Sequence, residues 1–127
     1  MSQYPIDSIC RDGDLMITSR MTNGSAVIEV AGRLDLNTSN CLRESLMRIV
    51  DSGTASVTVD LSDVEFIDST GLGVLAVAAR HPRLDVADLV LVAGEGSVRR
   101  SLRLAGLDRV ISVHPTQDHM LLDEVAA

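Results

Sequence analysis

Four consecutive aliphatic residues, Leu89-Val90-Leu91-Val92, constrain this chain more than any other feature. A short run with no polar alternation suits a strand covered on both faces, as in the middle of a parallel sheet. A parallel sheet needs helical crossovers, and the flanking sequence supplies them. Before the run, Leu72, Val74, Leu75, Val77 and Ala78 surround most of a helix that starts at Asp68 or Ser69 and ends before Pro82. After it, Ser97 caps a helix through Ala105, with Val98, Leu102 and Ala105 inward, Arg99, Arg100 and Arg103 outward, and Gly106 as its stop.

The same alternation extends towards the N-terminus. Ser56 to Leu61 places Val57, Val59 and Leu61 on one face, which predicts a strand. Asn37 or Thr38 can cap a helix running to about Val50, with Leu42, Leu46, Ile49 and Val50 inward and Arg43, Glu44 and Arg48 in water. Asn23-Gly24 joins two alternating runs, Leu15 to Thr22 and Ser25 to Leu34, as an antiparallel hairpin. Met1 to Asp14 shows no clear period and reads as a loose leader, leaving residues 15–127 as one domain. Val110 to Val113 reads as a short strand and Thr116 to Val125 as a closing helix. The expected architecture is α/β: a mixed, mostly parallel sheet of about five strands, opened by the hairpin and packed with about four helices.

Composition narrows the function. Hydrophobic residues make up 46% of the chain, yet there is one Tyr, one Phe and no Trp, so Val, Leu, Ile and Ala must build the core. The net charge of -7 and the shortage of stacking aromatics argue against nucleic acid. No apolar run approaches the roughly 20 residues of a membrane span, and the N-terminus lacks a basic-then-apolar signal. Neither a membrane nor a nucleic-acid partner is therefore expected, and the expected location is the cytoplasm. Cys10 and Cys41 fit neither a disulfide scaffold nor a zinc pattern and read as small apolar side chains.

Three motifs invite chemistry. Gly94-Glu95-Gly96-Ser97 follows a strand and opens a helix, but Arg99 stands where a dinucleotide site needs its third glycine, and no Lys exists to complete a phosphate loop. Ser69 lies beside Asp68, yet GxSxG is absent and His81, His114 and His119 are scattered, so a serine hydrolase is not expected. The three His and two Cys lack metal-ligand spacing. The remaining reading of Asp68-Ser69-Thr70-Gly71 is a helix start after a strand. Free backbone N–H groups and the helix dipole would tolerate a phosphate on Ser69 there.

The run Val59-Asp60-Leu61-Ser62-Asp63-Val64-Glu65-Phe66-Ile67-Asp68-Ser69-Thr70-Gly71-Leu72-Gly73-Val74-Leu75 resembles the signature of STAS domains of the anti-sigma factor antagonist type. Gly32-Arg33-Leu34-Asp35-Leu36-Asn37 resembles the family's second strand and the loop before its first helix. Val98-Arg99-Arg100-Ser101-Leu102-Arg103-Leu104-Ala105-Gly106-Leu107 resembles its third helix and following turn.

The resemblance implies a non-enzymatic switch that needs no cofactor of its own. The unphosphorylated domain would bind an anti-sigma factor that is also a serine kinase, freeing the sigma factor. Phosphorylation at Ser69, with Thr70 as a less open acceptor, would break the complex, and a serine phosphatase would restore it. Asp35, Asp68, Ser69, Thr70, Gly71 and Leu72 would form the contact surface. The resemblance also admits a STAS subunit of a stress-sensing or lipid-transport complex without phospho-switching.

Overall fold

The structure, a computed structural model, describes residues 7–22, 24–82 and 88–117. Its elements run β1 (Asp7–Asp12), β2 (Leu15–Thr22), β3 (Ser25–Leu34), α1 (Ser39–Asp51), β4 (Ser56–Ile67), α2 (Ser69–Ala79), β5 (Leu89–Val92), α3 (Ser97–Leu104), a 3-10 turn (Leu107–Arg109) and β6 (Ser112–His114). All six strands join one sheet in chain order, β1-β2-β3-β4-β5-β6. The first three pair antiparallel, and β3 to β6 pair parallel.

Strand order that follows chain order determines where the helices go. Each parallel crossover steps the same way along the sheet, and right-handed crossovers then place every connecting helix on one face. The core reflects this. Leu42, Leu46 and Val50 of α1, Val74, Leu75 and Ala78 of α2, and Val98 and Leu102 of α3 share one buried cluster with Ile28, Val30, Val57, Val59, Leu61, Leu89 and Leu91 of the sheet. Period-two alternation aims each strand's aliphatics at that layer, as in β3, where Ala26, Ile28 and Val30 are buried and Val27 and Glu29 are not. Aliphatic side chains thus fill the core without aromatics.

The expected mixed α/β sheet is present, with several local differences. Part of the stretch read as a loose leader, Asp7–Asp12, is strand β1, hydrogen-bonded to β2 from Asp7↔Arg20 to Asp12↔Leu15. Its pattern is weak because it lies at the sheet edge and its neighbour supplies the order. The sheet accordingly has six strands rather than about five. Three α-helices occur among the described residues; most of the fourth expected helix, Thr116 to Val125, falls outside them. The strand predicted over Ser56 to Leu61 continues to Ile67, its polar stretch Ser62-Asp63 carried by register irregularities against β3. The last strand is Ser112–His114 rather than Val110 to Val113, because Leu107–Arg109 first forms the 3-10 turn.

Cap and side-chain details also depart from expectation. Thr38 precedes α1 without a side-chain cap bond, and Gly96, not Ser97, is the residue before α3. Ala105, expected inward, is exposed beyond the end of α3. Cys41, read as a plain apolar side chain, is buried and disulfide-bonded, while the Cys10 side chain lies outside the described residues.

At Gly32 the β1–β2 turn lies directly against the backbone of β3. Gly32 has φ +108, and a Cβ added there would lie 1.8 Å from the Asp14 carbonyl oxygen. Both the conformation and the space exclude any side chain. Gly32→Ala is expected to lower unfolding free energy by roughly 3 kcal/mol or more, read by urea denaturation, because the β1–β2 turn must move off β3.

Candidate functional site

The C-terminal ends of β3 and β4 deliver two loops to the same edge of the sheet. Arg33↔Phe66 and Leu34↔Ile67 are register partners, so the chain leaves both strands side by side. Beyond β3, Asp35 folds the first loop onto itself. Its backbone carbonyl accepts from Thr38 N at 3.1 Å and Ser39 N at 2.8 Å, and its Oδ1 accepts from Asn37 N at 3.0 Å. The Thr38 hydroxyl donates to the Arg33 carbonyl at 2.7 Å and accepts from Asp35 N at 3.0 Å. Thr38 therefore braces the loop instead of capping α1.

Beyond β4, Asp68 caps α2. Its backbone is extended, and its Oδ1 accepts from Thr70 N at 2.9 Å, from Gly71 N at 3.2 Å and from the Thr70 hydroxyl. The other oxygen, Oδ2, reaches across and accepts from Leu36 N at 3.1 Å. One carboxylate thus closes the helix start and ties the first loop to it. Hydrogen bonds from the Thr70 hydroxyl, then from the Gly71, Thr70 and Leu36 amides, hold its pKa below the ordinary aspartate value, against the opposing effect of desolvation.

Ser69, the first residue of α2, is exposed, and its hydroxyl engages none of the described residues. The Thr70 hydroxyl is held by Asp68, so the two neighbouring hydroxyls differ in availability. Gly71 is buried, and a Cβ there would meet Ile67 Cγ1 and Leu34 Cγ at 2.9 Å each. Gly71 is small because the helix start rests directly on the strand ends. Leu72 is half-buried, as are Asp35 and Asp68.

The structure brings Asp35, Asp68, Ser69 and Thr70 to one rim, and turns Gly71 inward beneath it. Two residues the sequence reading missed lie on the same rim. Leu36 is 73% exposed although aliphatic, and its amide is held by Asp68. Phe66 is 40% exposed and lies under the Arg33 guanidinium, 4.4 Å from the ring centroid. A signal for Leu36 was present: an aliphatic residue between Asp35 and Asn37 in a loop has no core to enter. Along α2, Ser69, Gly73 and Val77 continue as an exposed stripe at helical spacing, Val77 being 57% exposed.

Two depressions formed among the described residues, beside Gly94 to Val98 and beside Arg11 to Met16, do not include Ser69 or its rim neighbours. His81 pairs with Asp51 at 3.3 Å, near the far end of α2, and an 11-residue helix separates it from Ser69 by about 16 Å. His114 lies in β6, and His119 is outside the described residues. Among the described residues no group of three or more His, Cys, Asp or Glu could hold a metal ion, and no helix is long and apolar enough to cross a membrane. The Gly94-Glu95-Gly96-Ser97 turn borders a shallow depression of about 250 Å³ with Ser62, Val64 and Pro115.

Fold and rim together define a small α/β domain that presents a capped helix start as a surface and not as a pocket. The chain belongs to the STAS domain family, whose model matches residues 16–120. It is 34% identical over 103 residues to the anti-sigma-F factor antagonist RsfB of Mycobacterium tuberculosis, covering 80% of this chain and 83% of that one. It is 30% identical over 93 residues to an anti-sigma-B factor antagonist of Listeria monocytogenes, covering 73% and 82%. A crystal structure of an anti-sigma factor antagonist from Mycobacterium paratuberculosis superposes with a TM-score of 0.77 at 28% identity, over 86% of this chain and 92% of that one.

Two expectations follow from the geometry. Gly71→Ala should cost about 1–3 kcal/mol in urea unfolding through overpacking, whereas Gly73→Ala, which meets nothing within 4 Å, should be neutral or stabilising by up to about 1 kcal/mol. Asp68→Ala should cost about 1–2 kcal/mol at neutral pH. The Asp68 pKa is lowered on folding, so its contribution is full above its unfolded value near 3.8 and is lost as pH falls through the lower folded value. The stability gap between wild type and Asp68→Ala should therefore close in acid.

Proposed function

We propose that this protein is an anti-sigma factor antagonist whose Ser69 rim binds an anti-sigma factor, and that phosphorylation of Ser69 switches the binding off. The observation that carries this reading is the contrast at the start of α2. The Ser69 hydroxyl is exposed and uncommitted, while the amides that would otherwise greet an anion are occupied by Asp68.

That occupancy sharpens the physics of the switch. At an uncapped helix start, backbone N–H groups would absorb much of a phosphate's charge. Here Thr70 N and Gly71 N already bond to a carboxylate, so a phosphate of about -1.5 to -2 on Ser69 would add to the charge of Asp68. It would face outward, into whatever covers the rim. Like charges juxtaposed in an interface cost several kcal/mol, and the fold need not move for the complex to part.

The names carried by the relatives support an anti-sigma factor as the partner. In this reading that factor, or a kinase acting with it, phosphorylates Ser69 at the expense of ATP, and a serine phosphatase removes the phosphate. The protein itself is a substrate and a ligand, not a catalyst. Asp35, Asp68, Thr70 and Leu72 frame the contact, Gly71 supports it from beneath, and exposed Leu36 is its apolar anchor. The Ser69–Gly73–Val77 stripe extends the surface along α2. Ser69 is the preferred acceptor over Thr70 because the Thr70 hydroxyl is already donated to Asp68.

Titration calorimetry with the source organism's anti-sigma factor tests this. Ser69→Glu is expected to weaken binding by roughly a hundredfold, about 2.7 kcal/mol, and Leu36→Asp by a similar factor, while Ser69→Ala binds but takes up no phosphate from the kinase. Equal affinity of wild type and Ser69→Glu would overturn the phospho-switch and favour a STAS subunit of a stress-sensing or lipid-transport complex.

A further inference from the structure

The basic run in α3 is left unused by the Ser69 rim. Residues 97–111 hold four Arg and a single acid, Asp108, inside a chain whose net charge is -7. The structure divides these arginines. Arg99 is half-buried and its Nη1 donates to the Ala93 carbonyl at 2.8 Å, so it serves its own loop. Arg100 and Arg103 stand on the exposed face, opposite buried Val98 and Leu102. On this face Arg103 Nη2 pairs with Glu95 Oε1 at 3.6 Å, a contact between exposed side chains that is weak in water.

Two large aliphatics sit among these charges. Leu104 is four residues from Arg100, hence stacked on the same face, and it is 83% exposed. The αL reversal at Gly106 and the 3-10 turn, which packs against α3, keep Arg109 and Val110 beside this helix end, and Val110 is 57% exposed. Arg is enriched at protein interfaces, and the exposed aliphatics beside it offer apolar area to bury.

The place is as informative as the composition. Ser69 follows the C-terminal end of β4, and α3 begins at the C-terminal end of β5 and runs back along the sheet. Leu104, Arg109 and Val110 therefore lie at the opposite end of the domain from Ser69. We propose that the outer face of α3 and the turn after it form a second docking surface, which takes an acidic amphipathic segment of a partner protein independently of the state of Ser69. Charge complementarity selects carboxylates, and Leu104 with Val110 selects an apolar side chain between them. A nucleic acid would find no aromatic residue here to stack on.

Amide chemical shifts of the 15N-labelled full chain give the test. The probes are a short helical peptide with Glu flanking Leu, an acid-only peptide of Glu and Ser, and phosphatidylglycerol vesicles; a dilution series without any probe is run beside them. The Glu/Leu peptide is expected to shift amides within residues 99–110 and to leave those of 35–38 and 68–72 in place, with the same affinity for Ser69→Glu. Leu104→Ser, and separately Arg100→Glu with Arg103→Glu, should each weaken it about tenfold while melting at the wild-type temperature, since all three side chains are exposed.

Absence of shifts at 99–110 overturns the proposal, as does equal binding of the acid-only peptide, which would reduce the surface to simple charge attraction. Stronger engagement of the same amides by vesicles, or their concentration dependence in the probe-free series, assigns the face to lipid or to a second copy of the chain and overturns it too.

Discussion

The Asp68 carboxylate joins three parts of the molecule that the chain supplies separately. It closes the start of α2 through the Thr70 and Gly71 amides and fixes the Thr70 hydroxyl. Through its second oxygen it holds the amide of Leu36 in the loop after β3. Without that link the two loops at the ends of β3 and β4 would be neighbours only through their strands. With it, an exposed hydroxyl and an exposed leucine are held on one rigid edge. Binding through a preordered edge avoids part of the entropy cost of arranging loops on contact.

The same bond separates fold from signal. Because Asp68 already satisfies the helix start, the domain does not depend on what happens at Ser69. On the proposed reading, a phosphate there would alter what the surface offers and leave in place what holds the sheet and helices together. The buried layer under the rim, where Gly71 rests on Leu34 and Ile67, reinforces this separation. The helix start is positioned by packing from below and by a cap at its end, and Ser69 takes part in neither.

Much of this was legible in the residue pattern. The antiparallel pairing of β2 with β3, the inward stripe Leu42, Leu46, Ile49 and Val50, and the alternation of Val57, Val59 and Leu61 follow from periodicity, since each element buries one face against a common core. Elements whose order comes from a neighbour were less legible. Strand β1 has no alternation of its own and is held by pairing with β2, and the outer half of β4 loses its period of two at the register irregularities, with Val64 and Ile67 still in the core and Ser62, Asp63, Glu65 and Phe66 exposed. At the rim, Ser69 and its neighbours were visible from their place after a strand. Leu36 stood out only as an aliphatic residue with no core to enter, and the cross-loop bond from Asp68 is what shows that it shares a surface with Ser69. The basic run of α3 was visible as a run, but its division into inward Arg99 and outward Arg100 and Arg103 needed coordinates.

The strand order has a consequence for how such a domain comes into being. Every strand pairs with the one that precedes it in the chain, and none is inserted later between two strands already formed. A sheet of this kind can be assembled in the direction of synthesis, each new strand and its crossover helix docking on an edge left open by the last. Each parallel pairing must still close across a crossover helix, as Ser25↔Ser56 does, so these steps cost more loop entropy than the hairpins. The residues of the edge that carries Ser69, from β3 and Leu36 to Asp68 and α2, all precede β5, α3 and β6 in the chain and leave the ribosome before them.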